Sequence, residues 1–265
     1  MFTCPSRSIG WQVKALALRR LVSFLDSELG LSEFPKDESI NGLQVEGKER
    51  VSGIGIAVDA CEYVFNRAAA KGIDFLLVHH GLIWGGIRSI RGAARKRIKA
   101  LLDADISLYA CHLPLDWHPK YGNNAELLRV LSIKKMGEFG EYHGKRIGYW
   151  GKTGRPVSMD EFVKHVDKTL KTRSSYVDFR KKVRNVGVVS GGGWSAIHDA
   201  EELGIDTFLT GDPSHSAYHL AKEMGVNLIF AGHYATETFG VKAAGRMLKK
   251  KFGLPVEFID SPTGL

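Results

Sequence analysis

Two adjacent histidines that end a short apolar run have the clearest potential for chemistry in this chain. Phe75 to Val78 has the pattern of a buried strand, and His79, His80 and a break at Gly81 follow it. Loops at the ends of buried strands are where open α/β sheets bind ligands. Imidazole is the commonest metal-binding side chain, so the pair indicates a metal site. The alternative is two loop histidines in ordinary hydrogen bonds.

Further imidazoles and carboxylates follow other predicted strands in both halves of the chain. The complete set of strand-end side chains is His79, His80, His112, Asp116, Asp212, His215, His233 and Glu237. Mixed imidazole and carboxylate ligands favour Zn, Fe, Mn or Ni over Mg and Ca, which prefer oxygen ligands alone. These eight side chains are more than the four ligands that one tetrahedral ion binds. We therefore predict two divalent ions that share a bridging carboxylate, an arrangement that activates water and stabilises a developing oxyanion.

Three features near this set have alternative interpretations. His118 precedes Pro119, which is typical of a turn residue as well as of a site residue. His112 either binds an ion or orients a carboxylate, and we favour orientation. Gly191–Gly193 lies between a predicted strand and a helix starting near Ser195, so it forms either a tight turn or a phosphate cradle of backbone N–H groups.

Apolar periodicity along the chain predicts an α/β fold. The predicted helices are residues 15–29, 61–71, 91–103, 123–131 and 158–171, and the predicted strands are 51–58, 75–78, 106–111 and 146–151. Asn123 and Ser158 are predicted N-caps, with Glu161 at the capping-box position. Residues 31–45 are predicted as a loop, and the segment 137–182 is the least regular part of the pattern.

Two ordered matches between the halves predict an internal duplication. Val51–Asp74 matches Val183–Asp206 at an offset of 132, including a Gly-Ile-Asp sequence before the second strand of each unit. His112-Leu-Pro-Leu-Asp116 matches His233-Tyr-Ala-Thr-Glu237 at an offset of 121. Two matches in the same order indicate duplication rather than chance. We predict two similar, interlinked α/β lobes with the metal site in the cleft between them.

The predicted domains follow from these matches. They are an N-terminal extension at 1–16, a first lobe at 17–140 and a second lobe at 141–265, whose C-terminal segment is able to pack back on the first. Three scattered cysteines without a CxxC pair predict a reducing compartment, and no apolar stretch is long enough to span a membrane. Without a recognisable signal peptide, this predicts a cytoplasmic protein.

A net charge of +8 leaves two explanations for the basic clusters. Arg95–Arg97, Arg180–Lys182 and Lys249–Lys251 are either solvated helix faces or contacts for phosphates and nucleic acid. No nucleic-acid-binding motif accompanies them, so we favour solvated faces. We expect at most weak, sequence-independent binding of nucleic acid.

Six motifs then occur in an order that identifies a family. They are Asn41-Gly42-Leu43-Gln44-Val45, Val78-His79-His80-Gly81-Leu82, His112-Leu-Pro-Leu-Asp116, Asn123-Asn124-Ala125-Glu126-Leu127, Thr210-Gly211-Asp212 and Gly232-His233-Tyr-Ala-Thr-Glu237. Over residues 17 to 260 the chain resembles the NIF-three-like family, also named GTP cyclohydrolase I type 2. Gly81 stands where the family more often has proline, and the large central insertion of longer members is missing. The first 10 to 15 residues fall outside the resemblance.

The resemblance implies a dinuclear metal centre between two interlinked lobes and a ring-shaped homohexamer. It places the metal ligands at His79, His80, Asp116, His233 and Glu237, with Glu237 as the bridge. Among the remaining strand-end residues, we expect His112 and Asp212 to contact the metal-binding side chains rather than to bind the ions themselves.

The family name implies hydrolytic opening of the guanine imidazole ring of GTP, at C8, by a metal-activated water. Our leading prediction is therefore a metal-dependent hydrolase acting on a nucleotide, with phosphate esters as other possible substrates. No general acid stands out, and the candidates are His112, His118 and His215. The alternative is a non-catalytic metal-binding ring protein that works through metal handling or through protein or nucleic-acid interactions.

Overall fold

The computed structural model describes residues 15–265, so residues 1–14 of the predicted extension lie outside the described residues. The elements in chain order are β1 Leu16–Ala17, α1 Leu18–Glu28, β2 Gly42–Val45, β3 Arg50–Val51, β4 Ile54–Asp59, α2 Glu62–Ala70, β5 Phe75–His80, α3 Gly92–Asp103, β6 Ser107–Ala110, α4 Leu113–Trp117, α5 Asn123–Val130, β7 Lys134–Tyr142, β8 Lys145–Ser158, α6 Met159–Leu170, β9 Ser175–Val177, β10 Lys182–Val189, β11 Thr207–Thr210, α7 His215–Met224, β12 Asn227–Phe230, α8 His233–Phe252 and β13 Val256–Phe258. Short 3-10 helices cover Leu31–Glu33 and Trp194–Asp199. The fold is therefore α/β, as predicted. Among the described helices, none is long and apolar enough to cross a membrane.

A five-stranded sheet carries the two adjacent histidines. Its order is β13-β4-β5-β6-β2, with β2 antiparallel to β6 and the other neighbours parallel. Strands β4 to β6 are almost wholly buried, which explains their continuous apolar runs. The C-terminal strand β13 pairs with β4, so the end of the chain lies in the sheet formed by the first half.

A six-stranded sheet has the order β7-β8-β10-β11-β12-β9, and its three strands β10 to β12 are parallel. Its register repeats that of the first sheet, because Ile54 lies opposite Phe75 and Val186 lies opposite Thr207. The third strands, β6 and β12, match at an offset of 120, whereas the histidines that follow them match at an offset of 121. The second half has one more residue between its third strand and the following histidine. A shared register is compatible with the predicted duplication, which stays a prediction.

The structure corrects the prediction for the middle of the chain. The predicted strand 146–151 lies within β8, as expected, but β7 was not predicted, and the two strands form a long antiparallel hairpin. His143 and Gly144 form its turn, both with positive φ, which suits the right-handed twist of hairpin strands. Polar residues and glycines along β7 hide the alternation that normally marks a strand. Likewise, Gly42–Val45 was expected to be loop and is the edge strand β2.

The two predicted helix caps have different outcomes. The Ser158 hydroxyl accepts a hydrogen bond from the Glu161 N–H at 3.2 Å, which confirms the cap of α6. The prediction for Asn123 is wrong, because Gly122 is the N-cap of α5 and Asn123 is its first helical residue. The Asn123 side chain is buried and contacts two other segments instead, as described below.

Helix α8 connects the two sheets. It begins directly after β12 of the six-stranded sheet, yet Val241, Ala244 and Leu248 pack in the core of the five-stranded sheet. Gly245 permits this close packing, since a Cβ there would lie 2.6 Å from the Ile56 side chain. The helix therefore carries side chains of the second half to the strand ends of the first.

Candidate metal centre

The five predicted metal ligands come from three separate elements and meet in one place. His79 and His80 are the last two residues of β5. Asp116 lies on α4, which follows the neighbouring strand β6. His233 and Glu237 are one turn apart at the start of α8. The side chains of His79, Asp116 and Glu237 are almost fully buried.

Glu237 lies at the centre of this cluster. Its Oε1 atom is 3.1 Å from His233 Nε2 and 3.5 Å from His79 Nε2, and its Oε2 atom is 3.3 Å from His80 Nε2. Asp116 Oδ2 is also 3.5 Å from His79 Nε2. Two groups with metal-ligand geometry result: His79, Asp116 and Glu237 form one, and His80, His233 and Glu237 form the other. The carboxylate of Glu237 is common to both, as a bridging ligand must be.

Two buried atoms of the cluster lack hydrogen-bond partners. They are His79 Nε2 and Glu237 Oε2. Buried polar atoms nearly always have a partner, so an orphaned nitrogen and an orphaned oxygen in one cluster indicate a missing binding partner. Their chemistry, imidazole nitrogen with carboxylate oxygen, fits a divalent transition metal. The residues present therefore fit the predicted ions.

Each of four histidines in and beside the cluster is fixed through Nδ1, which leaves Nε2 free to bind. Such hydrogen bonds set the tautomer and the ring orientation of metal-binding histidines. The four pairs are His79 with the Cys111 carbonyl at 3.0 Å, His80 with Asp59 at 2.8 Å, His112 with Asp37 at 2.9 Å, and His233 with Asp212 at 2.7 Å. Asp212 thus has the predicted orienting position.

The buried carboxylate of Asp116 is oriented by a polar network. Its Oδ1 atom accepts hydrogen bonds from Asn123 Nδ2 at 2.9 Å and from the Ser190 hydroxyl at 2.7 Å, which leaves Oδ2 facing His79. Asn123 Oδ1 in turn accepts from the Gly240 N–H on α8 at 2.6 Å. The Asn123 side chain therefore ties α5 to both ligand-bearing helices.

Four orienting residues were absent from the sequence-based site: Asp37, Asp59, Asn123, which was predicted only as an N-cap, and Ser190. Asp59 had a usable signal, since it ends the buried strand next to the histidine strand. Asp37 lies in a segment predicted as loop, 75 residues before its histidine partner, and Ser190 is 74 residues from Asp116. No local pattern connects residues at such separations.

Comparison with known proteins gives the family of this chain. Residues 16–264 match the family described as Duf34/NIF3 (NGG1p interacting factor 3). The chain belongs to the DUF34/NIF3 family. This confirms the resemblance inferred from the six motifs.

Individual members of the DUF34/NIF3 family are similar over nearly their whole length. Proteins of Pyrococcus abyssi and Pyrococcus horikoshii, both named GTP cyclohydrolase 1 type 2 homolog, are 46% and 48% identical over 92% of this chain and 98% of their own. The crystal structure of a Thermus thermophilus protein matches with a TM-score of 0.85 and 39% identity, covering 94% of this chain and 100% of that one.

His112 lies beside the two candidate ligand groups. Its ring centroid is 5.1 Å from that of His79 and 5.7 Å from that of His80, and the three form a further group with metal-ligand geometry. It caps the amino end of α4, so the same turn that positions Asp116 also positions His112. The residue has the placement required of either an ion-contacting or a proton-carrying side chain.

The structure does not bring two catalytic candidates to this centre. His118 uses both ring nitrogens elsewhere, with Nε2 3.0 Å from the Glu28 carbonyl and Nδ1 accepting from the Tyr121 N–H at 3.0 Å. It is the turn residue of the alternative interpretation. His215 starts α7 beside His219, and it neither joins a ligand group nor lines the cavity at the centre.

The turn at Gly191–Gly193 passes directly over the cluster. Gly191 has φ +59°, and a Cβ there would come within 3.0 Å of Glu237 Oε1. The N–H groups of Gly191 and Gly193 donate to the hydroxyls of Thr236 and Thr210. Because two of its three N–H groups are used internally, this segment is a tight turn against the site and not the alternative phosphate cradle.

Opposite charges shift the pKa values of the cluster strongly. Burial disfavours the charged form of His79, but the carboxylates of Asp116 and Glu237 outweigh it and raise its pKa to about 9. The hydrogen bond to Glu237, followed by that to Asp212, raises the pKa of His233 to about 10 despite burial. Burial opposes ionisation of Glu237, yet the surrounding imidazoles hold its pKa far below its ordinary value.

Metal binding should therefore release protons and strengthen with pH. At pH 7 the metal-free protein holds protons on His79 and His233, whose pKa values are about 9 and about 10, and an ion must displace them. We expect release of roughly two protons per fully loaded chain at pH 7. Apparent affinity should rise between pH 6 and pH 9. Calorimetry in two buffers with different ionisation enthalpies measures the release, and binding without it would contradict these pKa shifts.

Proposed function

We propose that this DUF34/NIF3 protein binds two divalent ions, of Zn, Fe, Mn or Ni, and hydrolyses a nucleotide. The observation that carries the proposal is the position of Glu237 in both ligand groups. His79 and Asp116 would complete one site, and His80 and His233 the other. The names of the Pyrococcus relatives support GTP as the first substrate to test.

A cavity of about 260 Å3 opens onto this centre. Its lining includes His112, Asp116 and His233, together with Trp84 and the end of β7 at residues 140–142. A pair of bound ions would activate a water and stabilise the negative charge that develops on the substrate. The surrounding side chains determine which substrate group enters and where protons go.

His112 is the proton carrier in this proposal. Asp37 accepts the hydrogen bond of its Nδ1–H, so Nε2 is the atom that exchanges a proton with the cavity. In ring opening, the water oxygen would bond to C8 of the guanine and become its carbonyl oxygen, while one C8–N bond breaks. The two protons of the water end on the two ring nitrogens that C8 joined, and His112 Nε2 carries one of them to the released nitrogen. A positioned general acid of this kind contributes about 10²- to 10⁴-fold to a rate.

Turnover of GTP by the metal-loaded protein tests this function. We expect ring opening, which is measured as a loss of guanine absorbance and by chromatography of the product. We also expect kcat to fall by about 10²- to 10⁴-fold in His112→Ala, with both ions still bound. His219→Ala, which changes an exposed histidine on α7, is the matched control. If the fully metal-loaded protein turned over neither GTP nor phosphate esters, the proposed hydrolase function would be contradicted.

One observation favours a second, non-catalytic function. The cavity of about 260 Å3 is smaller than the roughly 300–1,000 Å3 of typical ligand sites. A protein that stores or transfers metal needs no larger space. Two ions bound without turnover of any nucleotide or phosphate ester would assign the centre to metal handling.

We propose the ring-shaped homohexamer of the resemblance as the assembled form. Light scattering of the full chain should give about six times the 29.3 kDa chain mass. A monomer at micromolar concentration would contradict it.

Binding of nucleic acid to the basic clusters is proposed to be weak and to fall steeply with salt. The free thiols of Cys61 and Cys111 support the proposed cytoplasmic, reducing compartment.

A further inference from the structure

We infer that Trp84 divides a two-part substrate site, with the reacting group at the metal centre and an anionic end of the same molecule in an adjoining groove. This groove, here the Trp84 groove, is formed by residues 82–90 and the facing side of α3. The inference rests on the proposed function for the position of the reacting group. It adds the chemical class of the substrate: a flat or apolar body that carries a phosphate or carboxylate.

Trp84 is the residue that lines both cavities. Its ring centroid is 4.9 Å from that of His112 and 6.2 Å from that of His80, on the side of the metal centre. The indole N–H donates to the Gly81 carbonyl at 3.0 Å, and its backbone pairs with Ser39. The ring is therefore held in place although 41% of the residue is exposed. A fixed, exposed aromatic surface suits stacking of a flat ligand.

The Trp84 groove has a volume of about 500 Å3 and an apolar floor. Leu82, Ile83 and Ile98 line it, and Ile87 and Ile90 stand 58% and 54% exposed at its edge. Clustered exposed apolar side chains of this size mark binding surfaces. The floor favours an apolar or flat segment of a ligand over a fully hydrated one.

Two arginines give the Trp84 groove its charge preference. Arg88 and Arg97 line it, and no aspartate or glutamate does so among the described residues. Within residues 15–265, neither guanidinium forms an ion pair or a side-chain hydrogen bond, unlike Arg129 and Arg246, which share Glu126. Guanidinium groups bind carboxylates and phosphates through paired N–H donors. Charge complementarity therefore selects an anionic occupant.

Size connects the groove to the metal centre. The cavity at the metals is too small for a whole nucleotide-like ligand, whereas cavity and groove together reach the range of ordinary ligand sites. Since Trp84 borders both, one molecule can place its reacting ring on one side of the indole and its anionic group on the other. This arrangement removes the size objection to a catalytic function.

A fluorescent anion tests the groove without relying on turnover. The probe is 8-anilinonaphthalene-1-sulfonate, which has a flat apolar body and one anionic group, titrated into the metal-loaded full chain. We expect the Kd to rise at least about tenfold in the double variant Arg88→Ala/Arg97→Ala and in Trp84→Ala. Arg95→Ala changes an arginine that lies on α3 with Arg97 but outside the groove, so this variant should leave the Kd of the probe unchanged.

Competition with GMP separates this inference from the proposed function. Displacement of the probe by GMP, with the expected sensitivity to the variants, supports both. If the variants weaken binding of the probe but GMP does not displace it, the groove is an anion site and a nucleotide is excluded as its occupant. A Kd that none of the groove variants changes, or no binding at all, overturns the inference. Light scattering of Ile87→Asp then shows whether a second copy of the chain covers the groove instead, as a change in molar mass.

Discussion

Glu237→Gln should lower the metal capacity from two ions per chain to at most one. Glu237 is 3% exposed and its carboxylate belongs to both ligand groups, so the loss of that carboxylate affects both sites. A neutral amide also removes the charge that offsets repulsion between two dications. Asp116→Asn should impair mainly one site, because Asp116 belongs to a single group with His79. The fold should survive, since the imidazoles can release their protons when their partner is neutral.

Metal titration into folded, metal-stripped protein measures this difference. Glu223→Gln makes the same change on an exposed face of α7 and should keep two sites. Circular dichroism before titration establishes that each variant is folded. Two sites of wild-type affinity in Glu237→Gln would exclude the bridging role and the two-ion mechanism that depends on it.

Gly191→Ala should disrupt the metal centre without removing any ligand. The new Cβ would lie within 3.0 Å of Glu237 Oε1 and 3.1 Å from His233 Nε2, so the bridging carboxylate must move. The backbone at φ +59° would also be strained by about 1–2 kcal/mol with any side chain. We expect stability to fall by about that amount and metal affinity to fall by about 10- to 100-fold, as when orienting contacts are lost.

The neighbouring glycine provides a matched control. A Cβ at Gly192 would have only an ordinary contact, 3.4 Å from Asp212 Oδ2, and its φ is not in the left-handed region. Gly192→Ala should therefore retain both stability and metal affinity. Thermal unfolding of the metal-free variants and metal titration of each give the two readouts. Wild-type metal affinity in Gly191→Ala would show that this turn does not position Glu237.

Local sequence was sufficient for the strands that carry the site. The apolar runs before His79 and His112 are long enough for a buried strand and too short for a helix, and parallel strands buried on both faces require such runs. Each run ends at residues able to bind metal. Placing these residues at one edge of a sheet needs only the rule that ligands bind at the carboxyl ends of parallel strands.

Local sequence was insufficient where pairing partners are distant or where a side chain has two possible partners. Asn123 has the residue type of an N-cap, but bonds to Asp116 and Gly240 position it inside the helix, so tertiary contacts override its local preference. Strand β7 was missed because lysines and glycines replace the expected alternation, whereas the strand predicted at 146–151 lies within β8. Its pairing, not its composition, makes it a strand.

The sequence by itself determined the chemistry of the centre: imidazole and carboxylate side chains at strand ends, in a ratio that suits transition metals. The tertiary structure decided how they act together. Helix α8 crosses from one sheet to the other and brings Glu237 between His79 and His80, from which it is separated by more than 150 residues. The Nδ1 partners that fix each ring lie 21 to 75 residues away along the chain. Long-range packing alone selects these pairs, because nothing in the local sequence encodes which distant side chain will face a given nitrogen.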